Sequence, residues 1–175
     1  NSFTVLLIAE VAVVLLFSFL FKRLSPVAVG ILFFAYAVLN GVTLSVIFAV
    51  YQMSSIVVLF LAGAALFGGF AIYGYRCKNN VARWGPMLMI TLLIAVVISL
   101  VNAFLLKSSS LEIVIDCAVL FLFFGVTADD MNMIKNYSAA ALESDRKLYI
   151  YGAMQLYLDF INIFLRLLSL FGKEK

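Results

Sequence analysis

The chain has 175 residues, of which 66% are hydrophobic and 12% charged, and its mean hydropathy is +1.16. A soluble domain carries roughly 45–50% apolar and about 25% charged residues, and one this small cannot hide so much apolar surface, so a water-soluble monomer is excluded. The net charge of +3 is too small and scattered for nucleic acid, and the lack of histidine excludes HExxH zinc sites and His-dependent triads.

A membrane-spanning helix needs about 20 mostly apolar residues. Six stretches qualify, at roughly 3–21, 27–51, 55–75, 86–106, 110–129 and 148–172. They are too long and continuous for the roughly ten-residue alternating segments of a membrane β-barrel. The first holds a lone acid, Glu10, and ends at Lys22-Arg23 before Ser25-Pro26. If ionised, Glu10 needs a partner such as Arg166; otherwise it is neutral. The second begins at Pro26, where proline suits a helix start, and carries Tyr36, Asn40 and Thr43 on one face. The third has Ala64-x3-Gly68 and Ala65-x3-Gly69, small residues spaced for a tight helix contact. The fourth starts at Gly85-Pro86 and holds Thr91, Ser99 and Asn102. In the fifth, Asp116, Thr127 and Asp130 share a face, Asp129 points away as a solvated or end-of-helix acid, and Glu112 is a first-turn acid. Cys77 and Cys117 read as free thiols.

The last stretch carries the clearest pattern. Gln155, Asp159, Asn162, Arg166 and Ser169 are spaced 4, 3, 4 and 3, which sets all five on one helical face. A charge at mid-membrane costs about 2.5–3.5 kcal/mol on insertion scales, so such a stripe faces the bundle interior or water. Two readings stand side by side: an interhelical hydrogen-bond network with Asp159 held by Arg166, or the lining of a hydrated path. Basic residues gather in the first–second, third–fourth and fifth–sixth connections, which places those on the cytoplasmic side.

The run Gln155-Leu156-Tyr157-Leu158-Asp159-Phe160-Ile161-Asn162-Ile163-Phe164, with Leu-Phe-Gly at 170–172, resembles the last helix of the Bax-inhibitor-motif transmembrane family. Asp130-Met131-Asn132-Met133-Ile134-Lys135 is similar to that family's Asp-x-Asn-x-Ile element. Phe67-Gly68-Gly69, Tyr73-Gly74-Tyr75, Glu10-Val11-Ala12 and Asn40-Gly41-Val42-Thr43-Leu44 fit its earlier helices, so the likeness runs through the whole chain. The resemblance implies an all-α polytopic bundle forming a single domain over 1–175. Six of seven spans are visible, the first is missing, and the last helix is central. It also implies a prokaryotic plasma-membrane protein that leaks calcium under control of a pH-sensitive aspartate pair, matched here by Asp130 and Asp159. Glu10 matches the family's acid before its latch loop, and Lys22 and Arg23 stand beside the position of the basic latch.

Two carboxylates in contact cannot both ionise cheaply, so such a pair shares a proton and titrates as a unit. Losing the shared proton repels the two helices or admits a cation. Calcium prefers six to eight oxygens, so two carboxylates with carbonyls and water make a weak transit site. The expectation is therefore a proton-gated calcium path with Asp130 and Asp159 as sensor and gate. Glu10, Asp116, Gln155, Asn162 and Arg166 line it, with no cofactor, and with the bilayer, calcium and protons as partners. The oligomeric state stays open. An intramembrane aspartyl protease needs Gly-x-Gly-Asp, which neither Val126-Thr127-Ala128-Asp129 nor the run before Asp159 supplies, so no enzyme is expected. A proton-coupled transporter and a non-conducting regulator of another membrane protein are the alternatives.

Overall fold

A computed structural model describes residues 24–78, 84–140 and 146–175. Among them every regular element is helical: α1 (Pro26–Leu44), a short α2 (Ile47–Val50), α3 (Met53–Arg76), α4 (Gly85–Val101), α5 (Ser109–Ala140) and α6 (Arg146–Phe171). Five helical segments of the described residues are long and apolar enough to cross a membrane. They match the last five stretches read from hydropathy. The first stretch, with Glu10 and the latch candidates Lys22 and Arg23, lies outside the described residues.

Local chemistry explains the helix ends. Ser25 caps α1 by accepting the Ala28 amide at 3.3 Å, and Pro26 follows in the first turn, where a missing N–H costs nothing. The second stretch is interrupted at Ser45–Val46, where the Ser45 hydroxyl donates to the Val42 carbonyl at 2.6 Å and ends the α1 ladder. The fourth stretch widens into a π-type turn over Asn102–Leu106. It stops at Lys107, the one described non-glycine residue with positive φ, at 48°. Asn102 closes this end by accepting the Ser108 amide at 3.0 Å and donating to the Ser108 carbonyl at 3.1 Å.

The largest departure from the hydropathy reading is α5. That reading stops it at 129 and makes Asp130 to Lys147 a connection, but the helix continues to Ala140. The polar residues beyond Asp130 are held by the end of α3. Asn132, 1% exposed, donates to the Gly74 carbonyl at 3.0 Å and the Cys77 carbonyl at 3.2 Å. Lys135 donates to the Cys77 carbonyl at 3.0 Å and lies over the Tyr75 ring. These donors satisfy carbonyls that a helix C-terminus leaves without partners, so α5 caps α3 from the side.

The packing is that of a bundle in lipid. α5 lies against α6, α3 and α4, and α6 against α5, α3 and α1. The core between them is Ile115, Val119, Leu120, Phe123, Phe124, Val126, Ile163 and Leu167. The outside is also apolar, with Phe34, Leu61, Leu93, Val97 and Phe121 exposed, as expected where lipid rather than water is the solvent. Close approach depends on glycines other than those the spacing suggests. A Cβ added at Gly68 or Gly69 would meet nothing within 4 Å, so the Ala-x3-Gly pairs make no tight contact with the described residues. Gly63 lies against Phe164 and Leu167, and at Gly74 a Cβ would fall 2.1 Å from the Ala128 carbonyl oxygen. Beyond α6 the last residues return to the α2–α3 turn. The Gln52 amide donates to the Lys173 carbonyl at 2.9 Å and the Lys175 amide to the Val50 carbonyl at 2.9 Å.

Candidate functional site

The two aspartates singled out by the sequence meet. Asp130 is ten residues from the end of α5 and Asp159 thirteen from the start of α6. At ~1.5 Å per residue these offsets are about 15 and 20 Å, so both acids lie well inside the bundle rather than at its edge. Asp159 is 3% exposed and Asp130 6%. Their carboxyl groups are in hydrogen-bond range of each other, and Thr127 is in range of Asp159. A carboxyl–carboxyl hydrogen bond needs a proton on one partner. Counted as carboxylates, the pair leaves Asp159 Oδ2 buried with no donor.

Gln155, one turn before Asp159, donates its Nε2 to Asp130 Oδ1 at 3.5 Å, so three polar side chains from two helices converge. Among the described residues the buried side-chain polar atoms without a hydrogen-bond partner are Asp129 Oδ1, Gln155 Oε1 and Asp159 Oδ2. All three are acceptors. A surplus of buried oxygens over donors is the local condition that a proton, a water or a cation relieves. Among the described residues no three acids or thiols converge as a metal cage; the carboxylates in contact are two.

Asp129 corrects the sequence reading. It is 7% exposed, not solvated. It faces the first residue of α4, where a Cβ added at Gly85 would lie 2.6 Å from Asp129 Oδ2. The positive end of a helix attracts such an anion. The sequence signal is the pair of adjacent acids; Asp129 is buried because α5 continues past it to Ala140.

The other charged residues separate from the pair. Arg166 does not hold Asp159. Its guanidinium reaches Asp116 on α5 in an ion pair, and the Ser169 hydroxyl donates to the second Asp116 oxygen. Asp116 is 3% exposed and lies fourteen residues from Asp130, about 21 Å along the helix. Asn162 donates back to the Leu158 carbonyl of its own helix at 2.8 Å and bridges neither cluster. On α1, Asn40 donates to the Tyr157 hydroxyl at 3.3 Å, so the Tyr36, Asn40 and Thr43 face does turn inward, toward α6. Glu112 is in the first turn of α5 and exposed, as its position suggests.

Comparison with known proteins identifies the family. The family model described as "Inhibitor of apoptosis-promoting Bax1" matches residues 1–175. The inner membrane protein YbhL of Escherichia coli (strain K12) is 40% identical over 174 residues, covering 97% of this chain and 74% of that protein. An uncharacterized protein of Deinococcus radiodurans is 36% identical over 167 residues, covering 94% of the chain and 72% of the relative. Protein RP147 of Rickettsia prowazekii is 35% identical over 174 residues, covering 98% and 73%. The match extends from the first stretch through the Asp130 and Asp159 elements, so this multi-pass integral membrane protein belongs to the Bax1-inhibitor family.

Proposed function

We propose that the protein is a pH-sensitive leak path for calcium or other cations, in which Asp130 and Asp159 bind protons and gate the passage. The observation that supports this most is the buried contact between the two carboxyls, with an Asp159 oxygen left without a donor. When the pair shares one proton, that hydrogen bond ties α5 to α6. Without the proton, two like charges face each other in a low-dielectric interior and either push the helices apart or take up a cation. Gln155 steadies Asp130 from α6, and its free Oε1 adds an oxygen for a passing ion. The site is suited to transit and not storage, since calcium would draw most of its six to eight oxygens from water and carbonyls. We place the action in a bacterial inner membrane, by analogy with the name of the Escherichia coli relative, and assign no enzymatic step and no cofactor.

The test is calcium flux into proteoliposomes as a function of pH, for the wild type, Asp130→Asn and Asp159→Asn. The expected result is a pH-dependent flux in the wild type and a flat profile in both variants. A pH-dependent flux that survives in Asp159→Asn refutes the pair as sensor. No calcium flux in any of the three favours the non-conducting regulator.

A further inference from the structure

At the end of the bundle remote from Asp130 and Asp159 there is a cavity of about 290 Å³, bordered by Ser99, Asn102, Lys107, Glu112, Asp116 and Arg166. A space of this size with polar walls can admit water, and with it a hydrated ion. The lining comes from α4, its π-type extension with the Lys107 turn, and α5, with Arg166 of α6 across from them. Lys107 and Glu112 are exposed, so the cavity opens at that rim, while Asp116 is buried and Arg166 half-buried. The Arg166 guanidinium is fixed by the ion pair with Asp116, which Ser169 also grips. A cation held by an ion pair at the inner wall of a polar cavity sets the local potential for any ion that enters.

We propose that this cavity is the outer vestibule of the path and that Arg166 is its charge-selecting residue. It is a fixed positive charge, partly neutralised by Asp116, that limits how readily a cation, and a divalent one most of all, approaches the passage. The vestibule stands on the cavity and the ion pair alone; its place on a calcium path rests on the proposed function. By the distribution of basic residues this end faces away from the cytoplasm.

The experiment measures the charge preference of the cavity directly. In a chain carrying Cys77→Ala and Cys117→Ala, Ser99→Cys puts one thiol on the cavity wall. Its labelling rates with membrane-impermeant sulfonate and trimethylammonium thiosulfonates are compared in outward-facing vesicles. Arg166→Met is expected to raise the cationic-to-anionic rate ratio about tenfold, because the reagents differ by two unit charges near the removed one. Arg166→Lys should leave it within about twofold, and Asp116→Asn, which strips Arg166 of its counter-charge, should lower it. A ratio unchanged in both Arg166→Met and Asp116→Asn, or an unlabelled thiol, overturns the proposal. In parallel, calcium and potassium fluxes are recorded, and Arg166→Met should raise the calcium-to-potassium ratio. If labelling shifts as expected but no variant passes calcium, the vestibule stands and the leak function falls.

Discussion

At Gly74 the backbone of α3 lies directly against that of α5, and replacing it gives a sharp test of the packing. A Cβ there would lie 2.1 Å from the Ala128 carbonyl oxygen, 2.7 Å from Ala128 Cα and 2.8 Å from its carbonyl carbon. These are backbone atoms, which cannot rotate away as a side chain does. Ordinary contact begins near ~3.5 Å, so α3 and α5 must part by more than about 1 Å. That displacement also stretches the Asn132 bond to the Gly74 carbonyl, now 3.0 Å, and disturbs the neighbourhood of Asp129 and Asp130. Overpacking in a close-fitted core costs typically 1–3 kcal/mol, and with only backbone to give way Gly74→Ala should reach about 3 kcal/mol. Gly68→Ala is the control on the same helix. Nothing lies within 4 Å of its Cβ, and alanine is the better helix former by about 1 kcal/mol, so it should be neutral or stabilising. Unfolding in a titration with denaturing detergent, followed by the fluorescence of the single tryptophan, Trp84, reads both. Equal midpoints for Gly74→Ala and Gly68→Ala would refute the contact.

Three further outcomes are expected. Asn132→Ala leaves the Gly74 and Cys77 carbonyls without their side-chain donor and should cost about 1–3 kcal/mol in the same titration, with Lys135 retaining part of the cap. Asp129→Asn removes a carboxylate from the start of α4 and should cost no more than about 1–2 kcal/mol, while any pH-dependent flux persists because the Asp130–Asp159 contact is intact. Tyr51, in the turn after α2, has its ionisation pushed above the ordinary 10.0 by burial first and then by Glu174, Asp116 and Glu112. The folded state therefore holds this proton more tightly than the unfolded state. Its contribution is fully present below pH 10 and is lost as pH rises through the higher folded value, so Tyr51→Phe should reduce the alkaline loss of stability seen in thermal scans.

The span pattern was legible because lipid demands long apolar runs, and that demand overrides finer propensities. The stripe on α6 was legible for the same reason: Asp159 and Gln155 stand out in an apolar helix, and their spacing alone turns them to one side. Helix length past Asp130 was not legible. Hydropathy sees Asn132 and Lys135 as loop residues, whereas they are donors to the end of α3, a partner more than fifty residues away. The pairing of Arg166 was hidden in the same way. Asp159 and Arg166 share a face, but seven residues separate them by ~10.5 Å of rise, too far for an aspartate to bridge comfortably, and Asp116 lies fifty residues upstream. The small-residue spacing at Gly68 and Gly69 matched a known contact pattern, yet contact occurs at Gly63 and Gly74, because the neighbouring helix and not the spacing decides which face is covered.

The return of residues 173–175 to the turn at 50–52 bears on the order of assembly. The side-chain bond between Gln52 and the Glu174 carbonyl joins groups 122 residues apart in the chain, and the two backbone bonds beside it are as distant. During synthesis the turn leaves the ribosome long before its partner exists, so its amides and carbonyls stay with water until α6 has been inserted and set against α3. Closing so large a loop comes late, after the local helices have formed. The order of this turn thus records that α6 has been seated against α3, and protection of the Gln52 and Lys175 amides from hydrogen exchange marks that docking.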